Sequence, residues 1–186
     1  MKKLLMIVAM MVATLSANAQ NEVGQITLKP MAGMTMSTIT DYSNVKMKIG
    51  LVAGVEAEYG IAENFGVTAG LLYSMQGCKA DEGDGKMKLE YINVPILANY
   101  YVIPGLAIKA GVQPGFLMSA KDNDGNSFKD EMEKFDFSIP VGASYEFENF
   151  VVDARYNFGL TKGNKHGDKS HKNSVFMLTI GYKFAL

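Results

Sequence analysis

From about residue 25 onward, apolar and polar side chains alternate one by one, the period that sends successive side chains to opposite faces of a β-strand. The clearest run is 47–59, with Met47, Ile49, Leu51, Ala53, Val55, Ala57 and Tyr59 on one face. Lys48, Gly50, Val52, Gly54, Glu56 and Glu58 lie on the other. The same division recurs over 65–76, 106–118, 135–146, 150–160 and 174–184. Two runs are less regular. Run 26–36 alternates weakly, and 87–101 carries apolar residues on both faces around Pro95, the pattern of a bulge. The alternation predicts eight strands.

The segments between them, 38–46, 60–64, 77–86, 102–105, 119–134, 147–149 and 161–173, are alternately long and short. Long polar loops at one end and tight turns at the other fit an all-β fold, an eight-stranded antiparallel up-and-down transmembrane β-barrel of the outer-membrane type. A strand of ~12 residues rises about 40 Å and, tilted near 40°, covers ~30 Å, enough for the ~25 Å apolar band of such barrels. The apolar face then meets lipid and the glycine-rich polar face fills the lumen. A soluble exported lipocalin-like barrel, binding a ligand inside, would invert the faces, hiding Tyr73, Phe137 and Phe158 and exposing Arg155. Tyr59, Phe65, Tyr100, Tyr101, Phe147, Phe150 and Phe184 fall at the short-turn ends of runs, where an interfacial aromatic girdle belongs. Glu63-Asn64-Phe65 recurs as Glu148-Asn149-Phe150 at a second tight turn.

The N-terminus has a different logic. Lys2 and Lys3, an apolar run from Leu4 to Leu15, and Ala17-Asn18-Ala19 form a cleavable export signal over 1–19, leaving a barrel domain over 20–186. The apolar run is short of the ~20 residues of a membrane-spanning helix. Removing Lys2 and Lys3 takes the basic count from 18 to 16 against 19 acids. That balance gives no basic footprint for nucleic acid. A single cysteine, Cys78, excludes an intramolecular disulfide framework.

Candidate chemistry is concentrated inside. Arg155, the only arginine, shares the inward face with Asp153, Glu56, Glu58, Asp136, Glu146, Lys109 and Lys183. An eight-stranded barrel has room only for side chains, so these charges are expected to pair with one another rather than line a wide channel. A narrow porin-like transport channel is the alternative. In the loops, Asp122, Asp124, Asp130, Glu131 and Glu133 outweigh Lys121 and Lys129. Lys162, Lys165, Lys169 and Lys172 outweigh Asp168, so the two loops are expected to attract across the mouth. Asp122, Asp124, Asn126, Asp130 and Glu133 have the oxygen spacing of a calcium loop, although Ser127 stands where such loops need glycine. His166 and His171 lie in a polar, glycine-containing loop, where two histidines are expected to be solvated rather than to hold zinc. No cofactor is implied. No Ser/His/Asp constellation lies on matched strands, so no enzymatic activity is expected; the outlying alternative is a rim enzyme acting on lipid, for which His166 or His171 would have to be essential.

The element Leu89-Glu90-Tyr91-Ile92-Asn93-Val94-Pro95-Ile96-Leu97, followed by Tyr100-Tyr101, resembles the PorT-like outer-membrane β-barrel family. Segment 111–121 resembles the family's following strand, Asp153-Ala154-Arg155-Tyr156-Asn157-Phe158-Gly159-Leu160 its seventh, and Gly181-Tyr182-Lys183-Phe184 its last. Family chains usually finish on that aromatic, whereas Ala185 and Leu186 follow Phe184 here. The resemblance implies an integral protein of the outer-membrane lipid bilayer, with a structural or surface-interaction role. Its partner would be a surface or secretion-apparatus protein.

Overall fold

The computed structural model describes residues 23–39, 45–80, 86–161 and 172–186. The expected export signal, His166, His171 and most of the basic loop lie outside them, and with that loop the expected attraction across the mouth. Ten strand segments form the wall: β1 (Ile26–Ile39), β2 (Val45–Ala62), β3 (Phe65–Ala80), β4 (Lys86–Asn93), β5 (Ile96–Ile103), β6 (Leu106–Lys121), β7 (Phe135–Phe147), β8 (Phe150–Gly159), β9 (Asn173–Tyr182) and β10 (Phe184–Ala185). Each pairs antiparallel with its neighbours, and β1 closes the ring on β9 and β10.

Ten segments make eight staves. β9 and β10 form one stave, interrupted only at Lys183, and β4 and β5 are two halves of another, parted at Val94-Pro95 without loss of register. Asn93 pairs with Leu72 and Gly115, and Ile96 with Ala69 and Val112. Pro95 has no amide to donate and Val94 faces Pro114, so two prolines meet where ladder bonds would run. The remaining groups are used: the Gly70 amide donates to the Pro95 carbonyl at 3.0 Å and the Val94 amide to Pro114 at 2.8 Å. The bulge itself lies higher, between Glu90 and Tyr91.

Register sets the width of the ring. Ile26 pairs with Tyr59, then the row passes through Val67, Ala98, Ala110, Val141, Tyr156 and Phe176 and returns to β1 at Met36, ten residues on. With eight staves ~4.8 Å apart and ~3.3 Å per residue, that stagger tilts the strands by about 40° and gives a backbone radius of about 8 Å. Only side chains fit inside.

The faces are inside out. Leu51 and Ile180 are each 61% exposed on the outer surface, whereas Arg155 and Lys109 are each 1% exposed inside. This inversion of ordinary burial excludes the lipocalin-like arrangement. Tyr59, Tyr100, Phe147 and Phe150 stand outward at the short-turn rim. Two details differ from expectation. Tyr101 points inward, because its neighbour Tyr100 already occupies the outward face of the same strand. Aromatics also gather near the other rim, where the rings of Phe116 and Phe135 lie 5.7 Å apart.

The turns shrink to Glu63-Asn64, Pro104-Gly105 and Glu148-Asn149. Gly105 (φ 83°) follows Pro104, the residues a type II turn requires. Of the expected loops 38–46 and 77–86, the described residues 38–39, 45–46, 77–80 and 86 are strand, and β2 runs for 18 residues and β3 for 16. At about 40° of tilt β2 rises ~45 Å, well beyond a ~25 Å apolar band. The loop after β6 turns two side chains inward while residues 123–127 stay exposed. Its Phe128 and Met132 pack on Leu89, Tyr91, Leu117 and Ala120 and roof one side of the mouth.

Glycine lets the charged side chains lie along the inner wall. Gly142 is opposed by Lys109 on β6 and Arg155 on β8. A Cβ there would fall 2.8 Å from the Arg155 Cα and 2.9 Å from its Cγ. Gly142→Ala should therefore destabilise the barrel by about 1–3 kcal/mol, as overpacking does. The expected readout is a lower temperature for the heat-modifiable shift on denaturing gels. Ala143→Val, on the lipid face, should leave it near wild type.

Candidate functional site

Five charged residues from four strands meet across the lumen. Arg155 presents a fork, with Nη1 donating to Glu56 Oε1 at 2.5 Å and Nη2 to Glu56 Oε2 at 2.8 Å. The same guanidinium holds Asp153, with Nε donating to Oδ1 at 2.6 Å and Nη2 to Oδ2 at 2.7 Å. Such bidentate, charge-assisted bonds fix direction as well as distance. Lys109 reaches Asp153 Oδ2 at 2.9 Å, and Lys29 reaches Glu56 Oε2 at 2.9 Å and Asp153 Oδ2 at 3.8 Å. β1 and β6 stand four staves apart in either direction round the ring, so lysines from opposite walls converge on one carboxylate.

A second tier lies nearer the tight turns. Lys183 donates to Glu146 Oε1 at 2.9 Å and pairs with Glu58 at 3.5 Å. The Tyr101 hydroxyl lies 2.8 Å from Glu58 Oε1 and 2.9 Å from Glu146 Oε1, and donates its one proton to either. Backbone geometry places both donors of this tier. The Tyr101 amide donates to the Asn64 carbonyl at 2.8 Å, and the Lys183 amide donates to the Asn149 carbonyl at 2.7 Å. The repeated Glu-Asn-Phe turns thus each position one inward group.

Across the two tiers Lys29, Lys109, Arg155 and Lys183 face Glu56, Glu58, Glu146 and Asp153, four cations to four anions. Seven of the eight inward residues expected from sequence come together here. Asp136 does not: it sits higher and accepts the Thr161 hydroxyl at 2.7 Å. Lys29 and Tyr101 were missed. Both had a signal in parity, since Thr27, Lys29, Met31, Thr35 and Ser37 share one face of β1, and two adjacent tyrosines cannot face the same way. Above the central tier the lumen turns apolar on one side, where Met31, Val52, Leu72 and Met177 pack together. Closer to the mouth it becomes polar again. Lys48 Nζ donates to the Gln76 carbonyl at 2.7 Å, and Asn173 bonds the Gln76 side chain.

The calcium-like spacing has another use. Asp122 Oδ1 accepts the amides of Asp124 at 2.9 Å and Asn126 at 2.8 Å, while Oδ2 accepts the Asn126 side chain at 3.1 Å. Asp130 instead lies 3.9 Å from Lys134 at the surface. Among the described residues no three of His, Cys, Asp or Glu converge as a metal site would need. The oxygens of Asp122 close the loop on itself. Cys78 is buried.

Two outcomes are expected. Arg155→Ala removes the four guanidinium bonds from Glu56 and Asp153, leaving them only their lysine contacts, and should cost about 3–5 kcal/mol, the range for breaking a buried pair. The heat-modifiable gel shift should then occur at lower temperature; an unchanged shift would contradict the role given to Arg155. In the loop, the Asn126 side chain, with the backbone amides, holds the Asp122 carboxyl below its ordinary value. A depressed carboxylate stabilises above the unfolded value of about 3.9 and loses that contribution as pH falls through its own lower value. Amide exchange at Asn126 should accelerate over that acid window and be fast at all pH in Asp122→Ala.

No curated protein matches the chain. Among solved structures it is similar to Ail, the attachment invasion locus protein of Yersinia pestis, in complex with the heparin analogue sucrose octasulfate. That match has a TM-score of 0.55 and 19% identity and covers 88% of this chain and 100% of that one. Neisserial surface protein A is similar with a TM-score of 0.57 and 15% identity, covering 86% of this chain and 97% of that one. At these identities the likeness is one of fold. The family described as outer membrane protein beta-barrel domain matches residues 18–163. With a closed eight-stave ring and an apolar outer surface, the chain belongs to that family and is an integral protein of the outer membrane.

Proposed function

We propose that this barrel is a closed scaffold that presents its outer loops to a partner at the cell surface, within the PorT-like branch of the family. The observation that carries this reading is the charge cluster: residues from β1, β2, β6 and β8 bond to one another across the lumen. A radius of about 8 Å leaves little room beside them. The Phe128 and Met132 roof obstructs the mouth as well. The PorT-like assignment rests on the Leu89–Leu97 element with Pro95 and on Asp153–Leu160, whose Arg155 and Asp153 form the centre of the cluster. That similar folds belong to an attachment protein and a surface protein is consistent with a role outside the membrane. The reading includes no catalysis.

A narrow channel is the competing reading, and one observation favours it. Asn99 Oδ1, Gln113 Oε1 and Asn157 Oδ1 are buried without a protein partner, as groups beside ordered water would be. Planar-bilayer recording separates the two. The closed scaffold predicts no discrete conductance from the wild-type barrel, and stepwise single-channel currents would overturn it. The surface role is tested by photo-crosslinking in intact cells. A probe replacing Asp124 should yield protein adducts, and one replacing Phe158 on the lipid face should not. Absence of adducts at Asp124 would count against a loop partner.

A further inference from the structure

At the outer ends of the strands, lysines stand side by side. Lys46 pairs with Lys79, Lys79 pairs with Lys86, and Lys88 pairs with Lys121. Like charges directly opposed across a sheet are unfavourable, so a row of such pairs costs stability unless an anion lies between them. Glu90 is the one acid on these described strand ends. Lys79, Lys88 and Lys121 are exposed, while their neighbours Cys78, Leu89 and Ala120 are buried. The three lysines therefore face outward, away from the lumen.

Their height decides what they meet. On β6, Lys121 comes after Phe116 and Met118, which are 49% and 52% exposed on the lipid face. On β3, Lys79 follows the outward series Leu71, Tyr73 and Met75, and on β4 Lys88 stands above Ile92. The basic face begins where the apolar band ends, at the level of the outer-leaflet headgroups. Opposed Cβ atoms lie about 5 Å apart, so the ammonium groups of Lys88 and Lys121 can close on one phosphate.

We propose that the outer rim of β3, β4 and β6 binds the phosphate of an anionic outer-leaflet lipid through Lys79, Lys88 and Lys121. Juxtamembrane lysines attract such headgroups by about fivefold each, so three give about 100-fold. The segment between β3 and β4 contains Asp81, Glu82 and Asp84, which lie outside the described residues. Neutralising them tests whether they compete for the same lysines.

The test uses the full barrel in nanodiscs of phosphatidylcholine with about one-tenth phosphatidic acid, and native mass spectrometry to count the lipids retained. Wild type should retain phosphatidic acid over phosphatidylcholine. The K79Q/K88Q/K121Q variant should lose about 100-fold of that preference while keeping its heat-modifiable gel shift. K129Q/K134Q, on the loop after β6, should match wild type. Lys88→Glu alone, at a solvent-exposed position, should lose preference even if the triple variant folds poorly. The proposal is overturned if the triple variant retains the lipid or the loop control loses it equally. Displacement of the lipid by inorganic phosphate or a soluble sulfated oligosaccharide at equal anion concentration would assign the face to a soluble anion instead. Retention seen only after Asp81, Glu82 and Asp84 are neutralised would assign the lysines to their own hairpin.

Discussion

The contact between the Arg155 guanidinium and the carboxylates of Glu56 and Asp153 is the constraint around which the lumen is arranged. Moving one charged group into a low-dielectric interior costs several kcal/mol, and a narrow barrel has no bulk water to reduce that cost. The cluster offsets it by matching four cations with four anions and by giving the guanidinium four charge-assisted bonds. Geometry follows from this chemistry. A long side chain at the wall needs a partner without one, and Gly142 and Gly70 oppose Arg155 and Glu56 in register. The net gain over an apolar filling need not be large, because well-packed hydrophobic replacements often equal a buried pair. What the ions supply is direction, since the fork fits only one relative height of β2 and β8.

That height is also set independently by the backbone. A return ten residues along β1 defines the tilt and the radius, and the radius leaves no space for a second layer inside. Polarity therefore changes by level along the axis: ions near the turns and at mid-height, then Met31, Val52, Leu72 and Met177, then amides and hydroxyls, then the apolar roof. Outside, the same strands carry a continuous apolar belt with aromatic residues toward both rims and lysines above it. One chain thus meets lipid, headgroups and its own interior through alternate residues.

Much of this was legible in strict alternation. The eight staves, the antiparallel order, the inward Arg155, Asp153, Glu56, Glu58, Glu146, Lys109 and Lys183, and the tight turns at one end all follow from period two and loop length. What was hidden has specific causes. β1 alternates through small residues, Gly33 and Ala32 among them, so hydropathy contrast was weak and Lys29 was overlooked. Tyr101 was assigned by residue type rather than parity. Asp136 has the right parity and the wrong height, a distinction that needs the stagger of the strands. Phe128 and Met132 sit in a segment dominated by acids, where composition conceals two apolar anchors.

The pairing pattern of the cluster bears on how the barrel closes. Lys29 faces Glu56 across one hairpin, and Asp153 lies two residues from Arg155, so each of these pairs is assembled from nearby chain. Lys109 has no such neighbour. Its carboxylate is 44 positions away on β8, and the Arg155–Glu56 contact spans 99. A chain that entered the bilayer one hairpin after another would carry Lys109 into lipid without an anion. The order favoured by its charges is concerted: β1 through β8 come together outside the hydrocarbon or cross it as one sheet, and the closing edge of β1 on β9 seals a lumen that is already neutral.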